Sequence, residues 1–520
     1  MRTLALLFLL SAFAVTAADK PNIVFILADD LGIGDVHAFN PDGKIPTPRM
    51  DAFAAEGVKF VDAHTPSSVC TPTRYGVLTG RYNWRSRLQS GVLGGLSPRL
   101  IEPGRLTVAQ LLHDQGYATA CIGKWHLGLD WVKKEGKEVT ELNIEKPEQN
   151  DSIDFTKPFA NGPLALGFDY YFGIAASLDM VPYTFLENDH CMVVPTTNKK
   201  FPMMGDAENK GFTRFGPAAP DFEAMDVLPR VAGRAAQWIE EHAAESKTGK
   251  PFFLYLPFNA PHTPSVPTPE WAAKSKLNAY GDYVMEVDAM LGQVLDTLEK
   301  SGAAANTLVI FTSDNGCSPM ARIEQLRGKG HDPCWGLRGT KADIWEGGHR
   351  VPFIVRWPGH TKAGTTSEAL VCLTDLMATC AEVTGVTVPE NAGEDSVSLL
   401  PALRGEAGQR TTLVSHSIAG HFAIRSGNLK LCLTPGSGGW SAPKPGAPAA
   451  KNLPPEQLFD LAIDRAETRN LAVEQPEKVK ELTALLEKYV SEGRSTPGAP
   501  QKNTVPVKIR KGAPVEKDEK

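Results

Sequence analysis

The sequence predicts an α/β fold: a large mixed, mostly parallel sheet flanked by helices, followed by a smaller C-terminal α+β domain. Three observations predict it. Four short apolar runs, around 21–30, 116–124, 251–258 and 307–314, are continuous rather than alternating, as strands buried on both faces of a parallel sheet are. Helical patterns separate them, such as Val231, Ala235, Trp238, Ile239 and His242, or Val284, Val287, Leu291, Val294 and Leu298. A chain of 520 residues is long enough for two domains.

The N-terminus reads as a secretory signal over 1–17. Arg2 precedes an apolar run over 4–15, and Val15-Thr16-Ala17 forms a small-residue cleavage site. The run is too short for an ordinary membrane span, and no later stretch offers one. The mature protein is therefore expected to start near Ala18 and to be secreted or periplasmic. The first strand ends in Asp29-Asp30, and in open α/β sheets ligands collect beyond the carboxyl ends of strands. Met50, Phe53, Ala54 and Val58 predict a helix over 48–60. Next comes Cys70-Thr71-Pro72-Thr73-Arg74, where Pro72 suits a first helical turn. Residue 70 then stands at a helix N-terminus, which favours negative charge. A helix over 107–115 is capped by Thr107 and ended by Gly116.

The second strand runs to Gly123 and presents Lys124 and His126, which alternation puts on one side. Residues 130–165 are polar and read as a long surface insertion. Gly167 to Asp179 returns to the sheet edge and carries Ser177, and 183–220 reads as an irregular loop near the substrate mouth. A helix over 227–245 leads to the third strand. Asn259-Ala260-Pro261-His262-Thr263-Pro264 follows, its prolines holding His262 rigidly. After a helix over 280–300, the fourth strand ends in Asp314-Asn315. A glycine-rich block over 337–352 contains Lys341 and leads into a strand over 353–357 and a helix over 375–384. The catalytic domain is thus expected over 18–410. Shorter strands, a Pro/Gly-rich loop over 435–455 and a helix over 477–489 define a C-terminal α+β subdomain with antiparallel sheet over 411–495. The Pro- and Lys-rich stretch 496–520 reads as a disordered tail.

The net charge of -6 argues against a nucleic-acid partner but not against a small anionic substrate, for which local charges decide. Eight cysteines at irregular spacing suggest neither a zinc site nor a disulfide framework. Asp29, Asp30, Asp314 and Asn315 are hard oxygen donors that suit Ca2+, Mg2+ less well, and zinc not at all. Four strands that each end in residues of catalytic type are hard to explain as core or solvated surface.

The block from Cys70 to Arg74, extended through Thr79-Gly80-Arg81, resembles the signature of the type I sulfatases, arylsulfatase A-like members of the alkaline phosphatase superfamily. Thr73 is a mild departure, since Ser or Ala is commoner there. Gly123-Lys124-Trp125-His126-Leu127-Gly128, the Pro261-His262-Thr263-Pro264 element and the block around Lys341 resemble further signatures, in the family's order. The resemblance implies an alkaline phosphatase/sulfatase-like fold. It also implies a Cα-formylglycine made from Cys70 by a formylglycine-generating enzyme, and one Ca2+ held by Asp29, Asp30, residue 70, Asp314 and Asn315.

It further implies a mechanism. One hydroxyl of the hydrated aldehyde attacks sulfur with help from Asp314. His262, assisted by Lys341, protonates the leaving oxygen. His126 takes the proton of the second hydroxyl, and Arg74 and Lys124 hold the diol. Ser177, Lys124, His262 and Lys341 touch the sulfate. The expected substrate is a sulfated carbohydrate. The segment from Gly173 to Tyr183 resembles bacterial relatives of N-acetylgalactosamine-6-sulfatases, which implies 6-O-sulfated galactose or N-acetylgalactosamine. Two alternatives stay open: a formylglycine-dependent phosphodiester or phosphonate ester hydrolase, and a non-catalytic carbohydrate-binding protein on the same fold.

Overall fold

The computed structural model describes residues 20–139 and 147–511. The leader expected at 1–17 lies outside them. The main sheet has ten strands in the order 365–367, 58–60, 353–356, 307–313, 22–29, 252–261, 118–124, 170–174, 186–187 and 190–191. Its centre, from Thr307–Ser313 across to Tyr170–Ile174, is parallel throughout, and the antiparallel pairings lie towards the two edges. The strand Asn22–Asp29 is buried along its whole length, which is why its run is apolar without alternation.

Helices cover both faces. Val227–Ser246 and Ala279–Lys300 pack on one another and on the strand Phe252–Pro261. Cys70–Thr79, Val108–His113 and Leu376–Thr384 form a second packed group. Thr107 caps its helix as expected, accepting from the Gln110 N–H. Beyond the main sheet, 412–416, 422–426, 429–432 and 457–460 form an antiparallel sheet in that order, packed against the helix Pro476–Ser491. Among the described residues no helix is long and apolar enough to cross a membrane.

One irregularity positions the site. Leu27 pairs with Pro257, but Asp29 pairs with Pro261, so the first strand advances two residues while its neighbour advances four. The bulge raises His262 to the level of Asp29 and Asp30.

Four expectations need correction. The helix from Pro48 ends at Glu56, and Val58–Phe60 is a sheet strand. Gly57 breaks the pattern: a Cβ there would lie 2.3 Å from the Val355 carbonyl oxygen of the adjacent strand. The insertion at 130–165 is not simply a surface excursion, because Trp131, Ile153, Phe155 and Phe159 are buried and Trp131 meets both phenylalanines edge-on. Residues 140–146 of it lie outside the described residues. His126 is not placed by plain strand alternation: its φ is +57°, and Gly123 before it also has a positive φ.

The stretch 496–511 is not a disordered tail but a strap. Arg81 donates to the Lys502 carbonyl, Arg85 to Asn503 Oδ1, Gln89 to the Pro506 carbonyl, and the Thr504 N–H to the Arg85 carbonyl. Residues 512–520 lie outside the described residues.

Candidate active site

The helix Cys70–Thr79 is buried at every position, and Cys70 is its first residue, 2% exposed. Its entry is tied down by neighbours: Ser67 Oγ and the Ser68 N–H donate to the His416 carbonyl, and Thr73 Oγ1 donates to the Ser67 carbonyl. Sγ of Cys70 and carboxylate oxygens of Asp29 and Asp314 lie within 4.8 Å of one another. Burial pushes the Cys70 thiol up despite nearby Lys124 and Lys341, so the unmodified residue is not a ready thiolate.

The strand ends and the helix bring opposite charges into contact. Arg74 Nε and Nη2 donate to Asp314 Oδ2 at 3.1 and 2.8 Å, and its Nη1 donates to the Lys124 carbonyl at 3.0 Å. Lys124 Nζ donates to Asp29 Oδ2, and Lys341 Nζ lies 2.7 and 2.9 Å from the two oxygens of Asp30. Asn315 Nδ2 donates to Asp30 Oδ1 at 2.7 Å. Three buried carboxylates thus face three buried cations. Burial opposes the charge on Asp29, but Lys124, His262 and Arg74 hold its carboxyl below the usual range. Burial and the neighbouring Asp29 push Asp314 the other way.

The two histidines differ in how they are held. His126 Nε2 lies 2.7 Å from the Leu93 carbonyl, so Nε2 carries the hydrogen and Nδ1 the lone pair. Nδ1 is buried with no partner, and burial with Lys124 and Arg74 nearby lowers the ring's pKa well below its usual value. His262 Nδ1 is fixed by the Thr263 carbonyl, which leaves Nε2 facing Asp30 Oδ2 at 3.7 Å.

Asp29 Oδ1, Asn315 Oδ1, His126 Nδ1, Ser177 Oγ and Asp179 Oδ1, in and around this site, are buried without a hydrogen bond. Leaving such atoms without a hydrogen bond costs stability, which a bound ligand would relieve. The first two are hard oxygen donors beside Asp30 and Asp314, a set that fits Ca2+. Sulfur is the one soft atom among them. Replacing it by oxygen at residue 70 would make the set uniformly hard.

The structure therefore brings together Asp29, Asp30, Cys70, Arg74, Lys124, His262, Asp314, Asn315 and Lys341, with His126 joined through Arg74 and Lys124. Ser177 lies in the loop after the strand Tyr170–Ile174, past the point where the His126 N–H donates to the Ala175 carbonyl. Sequence reasoning missed Asp179 and Arg214. They form an ion pair at 2.6 Å, and the charges of His262 and Lys341 help to hold the Asp179 carboxyl below the usual range against its burial. Asp179 could have been suspected from its place two residues after Ser177, but nothing local marks Arg214. All eight cysteines are buried and unpaired.

Comparison with known proteins follows the same lines. The family model for sulfatases matches residues 21–386. An N-acetylgalactosamine-6-O-sulfatase of Bacteroides thetaiotaomicron is 34% identical over 505 residues, covering 90% of this chain and 93% of its own. Arylsulfatase A of Bos taurus is 33% identical over 488 residues, covering 91% of this chain and 87% of its own. A solved structure from work on the metabolism of multiple glycosaminoglycans by Bacteroides thetaiotaomicron superposes with a TM-score of 0.77 at 32% identity, over 90% of this chain and 99% of that one.

Proposed function

The chain belongs to the sulfatase family and is a sulfuric ester hydrolase, and from that premise we propose that it removes 6-O-sulfate from N-acetylgalactosamine or galactose in a sulfated glycan. The reading includes a formylglycine made from Cys70 by a maturing enzyme, one bound Ca2+, and action outside the cytoplasm. The observation that carries it is the site's set of unpaired hard acceptors around residue 70, together with the 34% identity to an N-acetylgalactosamine-6-O-sulfatase over nearly its full length.

A formylglycine at residue 70 would supply, once hydrated, two hydroxyls, one as a nucleophile and one that can give up its proton. Asp29, Asp30, Asp314 and Asn315 would hold a Ca2+, which would supply positive charge to polarise the bound sulfate ester. The chain's own residues do the rest. Arg74 and Lys124 keep residue 70 in a positive field and are themselves fixed by Asp314 and Asp29. His126 is a neutral base, with its lone pair at Nδ1 free to take the proton of the second hydroxyl. His262 carries a proton at Nε2 to the leaving ester oxygen, with Lys341 beside it at the shared Asp30 carboxylate. Ser177 Oγ offers a hydrogen bond to the sulfate.

The test is inorganic sulfate release from a panel of sulfated glycans. The protein is co-produced with a formylglycine-generating enzyme, loaded with Ca2+ and compared with Cys70→Ala. Release from 6-O-sulfated galactosyl or N-acetylgalactosaminyl substrates, falling by about 10⁴-fold or more in the variant, is the expected result. Cleavage of phosphate or phosphonate esters with no sulfate released would replace this reading.

A further inference from the structure

Of the three carboxylates at the site, Asp30 alone has a positive φ, +65°, in the left-handed region that residues other than glycine seldom enter. Such a conformation persists where its surroundings over-determine it. Here they do. The Asp30 N–H donates to Asp314 Oδ1 at 3.3 Å, the Leu31 N–H to Ser313 Oγ at 3.0 Å, and the Gly32 N–H to Asp35 Oδ2 at 2.8 Å. The Asp30 carbonyl oxygen lies 3.1 Å from Tyr280 Oη. Three successive N–H groups and a carbonyl are thus each met by a side chain. The carboxylate that this turn presents is the one shared by Lys341 and Asn315.

Two of these side chains belong to a buried relay. Tyr280, in the first turn of the helix Ala279–Lys300, donates to Asp35 Oδ2 and shares its hydrogen with the Asp30 carbonyl. Asp35 Oδ1 accepts from His331 Nε2 at 2.8 Å. The Lys44 N–H donates to His331 Nδ1 at 3.1 Å, which fixes the hydrogen on Nε2. Tyr280, Asp35 and His331 are each 1% exposed or less. The turn has no room to drift. The Gly34 N–H donates to the Pro333 carbonyl at 2.9 Å, and a Cβ on Gly32 would lie 2.3 Å from that same oxygen. It would also lie 3.0 Å from Cys317 Cβ, and the Cys317 carbonyl accepts the Lys341 N–H at 2.9 Å. The relay grips Asp30 from behind, and the same packing reaches the backbone of its partner Lys341.

Building on the Ca2+ reading of this site, we propose that Tyr280, Asp35 and His331 are positioning residues. They hold Asp30 in its left-handed turn and so fix where its carboxylate meets Lys341 and the metal. Released from the relay, Asp30 would relax towards an ordinary φ and swing its carboxylate out of register. Asp29 ends a regular strand and needs no such support. The relay's hydrogen bonds to the site run through backbone atoms of Asp30 and Gly32, so it acts on geometry rather than on the reacting groups. Partners behind a metal ligand carry about 10–100-fold in metal affinity or activity.

Calorimetric titration with Ca2+ tests this, on mature enzyme stripped of metal and kept well below its Tm. Tyr280→Phe keeps the ring in the core and removes the hydroxyl. It should raise the Kd for Ca2+ about 10–100-fold, with kcat/KM for sulfate release falling alongside. His331→Gln acts one bond further away and should give a smaller rise; it carries the test if Tyr280→Phe does not fold. Tyr117→Phe removes another buried tyrosine hydroxyl, bonded to the Pro21 carbonyl at the opposite end of the sheet. It should leave the Kd within about twofold. An unchanged Kd in Tyr280→Phe and His331→Gln, or an equal rise in Tyr117→Phe, overturns the positioning role and leaves the Ca2+ reading intact. Wild-type enzyme that binds no Ca2+ overturns both.

Discussion

Among the described residues, two buried regions have the residue types of a metal site, and they differ in how their polar atoms are bonded. Around His64, Glu346 and His349, ligand atoms also converge within 4.8 Å. There the hydrogen bonds form a closed chain. Lys430 donates to His349 Nε2 at 3.0 Å, the two Nδ1 atoms lie 3.0 Å apart, and His64 Nε2 donates to Asp62 at 2.9 Å. Neutral tautomers satisfy all three contacts at once. Lys430 also pairs with Glu346 and Glu467, Arg350 pairs with Glu346, and Arg425 pairs with Asp62. Its carboxylates are balanced by the protein's own cations. Around Asp29, Asp30 and Asp314 the protein's cations are also present, yet Asp29 Oδ1, 3.7 Å from Arg74 Nη2, and Asn315 Oδ1 accept no hydrogen bond. Residue types alone do not tell the two groups apart; the hydrogen bonding of His64 and His349, set against that of Asp29 and Asn315, does.

The hardest way to break this comparison is to disturb the closed group. Glu346→Gln removes the charge that Lys430 and Arg350 share. It should cost about 3–5 kcal/mol of stability, as breaking a buried pair does, measured by denaturant unfolding. The folded variant should keep kcat within a few-fold. A loss of kcat with unchanged stability would give this cluster a catalytic role. Next, Asn315→Ala at the open group should lower kcat/KM for sulfate release about 10²–10³-fold. It should also shrink the rise in Tm expected of the wild type when Ca2+ is added. Its Tm without Ca2+ should hardly move, and a large drop there would make Asn315 structural.

A smaller effect is expected for His126→Gln: about 10²-fold in kcat with little change in Tm, since only the Leu93 contact is lost. The smallest concerns Glu286, a lone buried carboxyl outside both groups. Burial raises it to about 7, against hydrogen bonds from Thr268. The folded state keeps a proton that the unfolded chain releases near pH 4.5, so this residue lowers stability as pH rises from about 4.5 to 7. The Tm of Glu286→Gln minus that of wild type should grow across that window and level off above it. A flat difference would contradict the shift.

Much of the site was legible because each parallel strand spends its apolar run in the core and stops where the polar residues begin. Asp29, Lys124, His262 and Asp314 are marked by that boundary alone. Cys70 and Lys341 needed the motif resemblance, since a cysteine or lysine in a loop announces nothing physical. What stayed hidden depends on distant parts of the chain. Val58 continued a helical spacing that Gly57 breaks only because Val355 runs alongside. The Asp179–Arg214 pair joins two loops without local pattern. The strap at 496–511 has the composition of a disordered segment, and its order comes from Arg81, Arg85 and Gln89, some 420 residues earlier in sequence.

That strap also sets a clock. Cys70 is 2% exposed, and the helix it begins leads through Arg81 to Arg85, which the last described residues grip. Any enzyme that modified residue 70 would have to reach it before the chain folds over it. At roughly 5–20 residues per second, the ribosome needs on the order of 20–90 s between residue 70 and residue 511. Shortening or pre-docking the C-terminus would narrow that interval, and the fraction of modified protein would report the order in which synthesis, modification and closure occur.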